Sequence, residues 1–183
     1  MNRYDGFVPV TVGCGRRIAI WDLDGTLSCG LHRLHLLPAK DKANRCEAWD
    51  EFNMAAINDA PILHNIELYK TMRREGWACI ILTCRGEIAR AITVAWLLKH
   101  GILLERPDRE LIMRAADDHR VDTVFKEEVV KMIRHRMNHE VIMAFDDAEH
   151  VVKHFRQMGV PCLQGTHYDN PSLDKQAGNG EKA

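Results

Sequence analysis

The chain has 183 residues, 46% of them apolar and 28% charged, which suits one ordinary globular domain and excludes a disordered chain. Its formal net charge of −1 excludes a bulk basic field, so a nucleic-acid substrate would have to be gripped locally. No apolar run reaches membrane-spanning length and Met1–Gly15 has no apolar signal core, so no membrane partner and a cytoplasmic location are expected.

In chain order, Met1–Gly15 carries Gly and Pro without a sustained period and reads as a loop or weak edge strand. Ile18–Trp21 is a short apolar run, a buried strand that leads into Asp22-Leu-Asp24-Gly25-Thr26. Gly25 lets the chain turn sharply, so both acids can face one crevice at the strand's carboxyl end. Ser28–Asn58 is irregular, with Trp49, Phe52 and Met54 on a short helical pattern; it reads as a small helical cap insertion, too short for its own domain. Asp59-Ala-Pro61 predicts a helix start, followed by Ile62, Ile66, Tyr69 and Met72 at helical spacing and a stop at Gly76. Trp77–Leu82 predicts a second strand, closed by Thr83-Cys84-Arg85-Gly86.

The next helix is expected to turn Ile88, Ala91, Ala95 and Leu98 inward and to stop at Gly101. Glu110–Met113 predicts a strand, and Phe125–Met137 a helix with Val130, Ile133 and Met137 inward. Glu140–Phe145 predicts a strand that runs straight into Asp146 and Asp147; a last helix carries Val151, Phe155 and Met158, and Val160–Leu163 a last strand. Residues 166–183 form a polar, Gly-rich tail that is expected to fray. Alternating strands and helices predict an α/β fold, one doubly wound, Rossmann-like parallel sheet over residues 1–165.

Three polar clusters follow three apolar strands: Asp22/Asp24, Thr83/Arg85 and Asp146/Asp147. In such a sheet the carboxyl ends of the strands share one edge, so the clusters converge there, with Lys126 on a neighbouring helix. Each alone is a plausible helix cap; three together point to a site. Four acids in one pocket need a cation, and carboxylates with room for water suit Mg²⁺. Lys126 and Arg85 add charge for an anion such as a phosphoryl group. No Gly-x-x-x-x-Gly-Lys-[Ser/Thr] loop is present. The six cysteines include no Cys-x-x-Cys pair and are expected to be reduced thiols. Cys29, His32, His35 and Cys46 have zinc-ligand chemistry but lack a second close pair, which disfavours zinc.

Asp22-Leu-Asp-Gly-Thr-Leu, Thr83, Lys126 and Asp146–Asp147, in that order, resemble the four motifs of the haloacid dehalogenase superfamily of phosphohydrolases, over about Arg17 to Leu163. A narrower resemblance lies in Asp118-His-Arg-Val-Asp122-x-x-x-Lys126-Glu-Glu, Phe145-Asp-Asp, Val151–Val152 and Met158-Gly-Val-Pro-Cys162, which are similar to the 3′-phosphatase domains of phage polynucleotide kinase/phosphatases.

The superfamily resemblance implies a nucleophilic Asp22 that forms an aspartyl-phosphate, and Asp24 as general acid and base. It implies Mg²⁺ held by Asp22, the Asp24 carbonyl, Asp146 and Asp147, with Thr83 and Lys126 on the phosphate oxygens. The narrower one adds Arg33 and Arg85 as phosphate or substrate contacts and Asp122 as a residue that orients Lys126. It implies a phosphorylated nucleic-acid end as substrate and a separate kinase or ligase as partner, since no kinase half is present in the chain. Two positions depart from the pattern: Cys84 stands where small residues are usual, and Ala148 replaces an Arg after Asp147.

A second reading is a small-molecule phosphatase such as a 5′(3′)-nucleotidase, which differs only in the insertion. His32, Arg33, His35 and Trp49 are the insertion's candidates for holding a terminal nucleotide, against a core role for Trp49 and Phe52. A third, a non-catalytic binder of phosphorylated ends, has no use for an intact nucleophile.

Overall fold

The computed structural model describes residues 18–136 and 139–165, and only the backbone of Arg136. The expectations for Met1–Gly15, Met137 and the 166–183 tail fall outside the described residues. The chain opens with β1 (Ile18–Trp21), a short β2 (Ser28–Cys29), α1 (Asp50–Met54), β3 (Ala60–Pro61), α2 (Leu63–Arg74) and β4 (Ala78–Gly86). It continues through α3 (Arg90–Lys99), α4 (Pro107–Glu110), β5 (Leu111–Arg114), α5 (Asp122–Arg136), β6 (Val141–Phe145), α6 (Glu149–Gln157) and β7 (Cys162–Leu163).

Five strands form one parallel sheet in the order β5-β4-β1-β6-β7. The chain builds outward from β1 to β5, then returns to the other side of β1 for β6 and β7. The order therefore reverses at β1, and the carboxyl end of that strand opens onto the crevice where doubly wound sheets bind ligands.

The period of two along β1 divides the core. Ile18 and Ile20 pack with Phe125, Val129 and Ile133 of α5 and Val151 and Phe155 of α6. Ala19 and Trp21 face the opposite way, to Ile66 and Tyr69 of α2 and Trp96 and Leu97 of α3. Trp21 stacks on Phe145 at 3.7 Å between ring centroids and meets Tyr69 edge-on at 5.5 Å. β1 is thus clamped on both faces, which fixes the residues that follow it.

Several local expectations are corrected. Asp59 does not cap a helix: Pro61 disfavours helical backbone at the residue before it, and Ala60–Pro61 pairs as an antiparallel strand with Ser28–Cys29. The helix starts only at Leu63. Thr83 and Arg85 lie inside β4, which runs on to Gly86 with a register shift between Thr83 and Gly86. α3 presents a different face: Thr93, Trp96 and Leu97 are buried, while Ala91, Ala95 and Leu98, and Ile88 in the 3₁₀ turn before the helix, are exposed. Polar Thr93 belongs inside because its hydroxyl accepts a hydrogen bond from Arg85 Nη1 at 3.1 Å. α5 begins at Asp122, so Lys126 sits one turn inside that helix.

Candidate active site

The described cavity at the sheet's carboxyl edge has a volume of about 800 Å³. Asp22, Asp24, Thr83, Arg85, Lys126, Asp146 and Asp147 all line it, as do Arg33 and Asp122. These nine residues therefore reach one space, which His32 and His35 do not line. The 28–58 segment forms its outer wall through three 3₁₀ turns and α1. That wall is pinned to the 115–121 loop where the Cys46 N–H donates to His119 Nδ1 at 3.2 Å.

Asp22 follows β1 directly, and its N–H donates to the Phe145 carbonyl at 2.9 Å. The chain then turns: the N–H groups of Leu27 and Ser28 donate to the Leu23 carbonyl, and the Gly25 N–H to Ser28. Gly25 has φ +81°, a conformation that side chains disfavour. A Cβ there would stand 2.0 Å from Asp147 Oδ2, so the glycine also makes room for that carboxylate.

The two acids of the Asp22-x-Asp24 pair occupy different electrostatic neighbourhoods. Lys126 Nζ donates to Asp22 Oδ1 and to Asp146 Oδ2, each at 2.6 Å, and all three side chains are buried. Burial pushes the Asp22 carboxyl well above the usual range; Lys126 opposes this, while Asp146 and Asp147 reinforce it. Asp147 is pushed up to about 7, by burial and then by Asp146. Burial works against the Lys126 charge, but Asp146 and Asp22 hold its pKa well above the ordinary value. Three carboxylates thus face a single ammonium.

Asp24 instead meets two guanidiniums. Arg85 donates from Nη2 to Asp24 Oδ1 at 2.6 Å and from Nε to Oδ2 at 3.2 Å, and Arg33 Nη2 donates to Asp24 Oδ1. Burial alone would raise the Asp24 pKa, yet Arg85 and Arg33 together hold it well below the usual carboxylate range. Thr83 Oγ1 lies 3.5 Å from Asp24 Oδ2 and accepts the Arg85 N–H at 3.1 Å.

Asp59 was missed as a site residue. Its fully buried carboxylate accepts from Arg33 Nε at 2.7 Å, from Arg33 Nη2 at 2.8 Å and from Arg85 Nη2 at 3.2 Å. The Trp96 indole N–H donates to the Asp59 carbonyl at 2.8 Å. Two buried cations and two acids balance in this second cluster. The available signal was Pro61, which takes Asp59 out of a helix start and leaves its charge to be explained.

The remaining candidates divide. Asp122 Oδ2 pairs with His150 Nε2 at 2.7 Å, and Oδ1 accepts the Thr123 N–H. Its carboxylate is engaged there, while Asp22 and Asp146 orient Lys126; Lys126 reaches Asp122 as charge, one of the influences that lower its pKa. His32 Nε2 lies 3.0 Å from Asp59 Oδ1, and His35 is exposed. Trp49 lines the cavity, half-buried, and donates from Nε1 to the Ala43 carbonyl. Phe52 carries the Arg33 guanidinium 3.9 Å above its ring. Burial pushes the Cys84 thiol up to about 11, which leaves it protonated and unsuited to act as a nucleophile.

Among the described residues, no three carboxylate, imidazole or thiol side chains converge into a ready cage for a metal. Mg²⁺ does not require one, because it keeps several waters and takes one or two carboxylates. The surplus of acid around Lys126 and the upward shifts of Asp22 and Asp147 are what a divalent cation would offset, so the donor set fits Mg²⁺.

A family model described as the phosphatase domain of polynucleotide kinase PNKP matches residues 16–169. None of the curated protein sequences is similar enough to match. Among solved structures, a chain of the Pnkp1/Rnl/Hen1 RNA repair complex superposes with a TM-score of 0.62 at 25% identity, over 85% of this chain and 44% of that one. A second Pnkp1/Rnl/Hen1 complex gives a TM-score of 0.62 at 26% identity, over 86% and 48%. This chain therefore spans less than half the length of those relatives. A haloacid dehalogenase-like hydrolase from Streptococcus pneumoniae aligns over 88% and 90% with a TM-score of 0.57 at 12% identity, a likeness of fold alone.

Proposed function

Because the chain belongs to the family of polynucleotide kinase PNKP phosphatase domains and is a phosphatase with the haloacid dehalogenase fold, we propose that it removes the 3′-phosphate from nucleic-acid ends with Mg²⁺, through an aspartyl-phosphate on Asp22. The observation that carries the chemistry is the division of Asp22 and Asp24 between two charge clusters. Asp22 sits with Lys126 among acids that a divalent cation would offset, which would keep it ionised as the nucleophile, while Asp24 sits apart as the separate proton carrier.

In the proposed first step an Asp22 carboxylate oxygen attacks phosphorus and the bond to the sugar oxygen breaks. Asp24 gives its proton to that oxygen. In the second, Asp24 takes a proton from water as the water attacks the phosphorus of the acyl phosphate, releasing inorganic phosphate and restoring Asp22. Thr83 and Lys126 hold the phosphoryl oxygens.

Asp24 is ionised while both guanidiniums grip it. A phosphate dianion competes for Arg33 and Arg85, and as they turn to it the Asp24 pKa rises towards the range of a general acid. The same two residues thus bind substrate and time the protonation of Asp24. Asp22, the Asp24 carbonyl, Asp146 and Asp147 would hold Mg²⁺. When bound, the ion supplies charge neutralisation at the phosphoryl oxygens.

The polynucleotide substrate is supported by the family match and by a cavity far larger than a phosphate requires. An enzyme of this kind leaves a 3′-hydroxyl, the end that a ligase uses, so a separate kinase or ligase is the class of partner. The test is phosphate release with Mg²⁺ from a 3′-phosphorylated oligonucleotide, a 5′-phosphorylated one and nucleoside monophosphates, with Asp22→Asn as control. Release from the 3′ end, lost in the variant, is expected. Release from mononucleotides alone would instead favour a small-molecule phosphatase.

A further inference from the structure

Asn53, in α1, is a buried wall residue whose chemistry the scheme above leaves unused. It is only 5% exposed and lines the cavity, yet among the described residues its carboxamide has no hydrogen-bond partner. Its polar atoms are not among those sealed from solvent, so the amide opens into the cavity, whereas other polar groups of the outer wall are tied up within the protein. Arg33, Trp49, Asp59 and Ser28 all have partners.

Its position indicates which part of a substrate it meets. The adjacent residue, Phe52, holds Arg33 through its ring and its carbonyl. Asn53 Nδ2 stands 3.2 Å from where a Cβ of Gly86 would be, and Gly86 follows Arg85. Asn53 is therefore flanked by the supports of the two arginines that grip Asp24. That is the side of Asp24, which protonates the leaving oxygen, whereas Lys126, which holds the phosphoryl oxygens, lies on the Asp22 side. A carboxamide both donates and accepts, which matches a sugar oxygen or hydroxyl better than a phosphate dianion.

We propose that Asn53 is a specificity residue whose carboxamide hydrogen-bonds the sugar of the leaving nucleotide, beside the scissile ester. This rests on the 3′-phosphatase reading. The glycine at position 86 keeps that wall open, since a Cβ there would press on the amide.

The test compares wild type with Asn53→Leu and Asn53→Ala on a 3′-phosphorylated RNA oligomer, its DNA counterpart and p-nitrophenyl phosphate, whose leaving group has no sugar. The ratio of oligonucleotide to p-nitrophenyl phosphate kcat/KM is expected to fall about tenfold or more in both variants. A fall confined to RNA places the partner at the 2′-hydroxyl; an equal fall on both polymers places it at a sugar oxygen common to them. Thermal unfolding supplies a second readout. Replacing an unpartnered amide by leucine should leave Tm unchanged or raised, the trade expected of a residue kept for binding. An unchanged ratio would overturn the inference, and so would a Tm lowered by both variants, because the amide would then be structural. Wild type that hydrolyses p-nitrophenyl phosphate but neither oligomer would overturn the 3′-phosphatase reading itself. Turnover of both oligomers with an unchanged ratio in the variants would overturn the Asn53 contact alone.

Discussion

Removing the Asp59 charge tests how the acid cluster is held together. In Asp59→Asn the shape is kept, but Arg33 and Arg85, both essentially sealed from solvent, share Asp24 as their one remaining carboxylate. The cluster changes from two cations and two anions to an excess of one positive charge. Breaking a buried pair from one side costs about 3–5 kcal/mol, because the surviving charge stays buried. At about 2–4 °C per kcal/mol for a chain of this length, Tm should fall by roughly 6–20 °C. Activity should fall as well, since Asp59 fixes the guanidiniums that hold Asp24. Thermal unfolding and kcat/KM at pH 7 measure both effects, with Asp59→Ala as a second variant. A loss of less than about 1 kcal/mol would refute the argument, since that is the scale of an exposed pair.

Lys126→Ala should cost at least about 2 kcal/mol in kcat/KM, roughly thirtyfold, because its ammonium is the one that bridges Asp22 and Asp146; a tenfold or smaller loss in steady-state kinetics would count against it. Gly25→Ala combines a φ of +81° with a Cβ placed on the Asp147 carboxylate, so it should displace Asp147 and raise the Mg²⁺ concentration needed for half-maximal activity. An unchanged Mg²⁺ titration would exclude Asp147 from the ion's surroundings. The Asp122–His150 pair predicts a pH-dependent contribution. The His150 pKa is raised, first by its hydrogen bond to Asp122. For Asp122, burial pushes upward, but His150 and Lys126 bring the net shift below the ordinary value of 3.8. The stability difference between wild type and His150→Gln should therefore be full between about pH 4 and pH 6.5. It should shrink as pH rises through the folded His150 pKa and again in acid, as Asp122 protonates; denaturant unfolding across pH checks this, and a difference that grows above pH 7 would contradict it.

The sheet was legible because its strands are short apolar runs that end in polar residues, and that edge carried Asp22, Asp24, Thr83, Arg85 and Asp146 together. Helix faces were less secure. Around α3 the apolar residues Ile88, in the 3₁₀ turn before it, and Leu98 suggested the wrong stripe, because Thr93 goes inward to meet Arg85. Nothing in spacing alone marks a threonine for burial. Asp59 was misread for a related reason: its partners, Arg33 and Arg85, lie 26 residues before and after it, and only the fold brings them together. Arg33 could be placed by family likeness, but its burial under Phe52 depends on how the 28–58 insertion closes over the cavity. Asn53 left no sequence signal at all, since an asparagine on a short helix reads as surface.

The most direct test of the central claim, that Asp22 accepts the phosphoryl group, is acid quenching during turnover of an oligonucleotide carrying a radiolabelled 3′-phosphate. Label is predicted on the wild-type protein, discharged by hydroxylamine as an acyl phosphate, and absent from Asp22→Asn. Phosphate release by Asp22→Asn at the wild-type rate, or label that survives hydroxylamine, would contradict it.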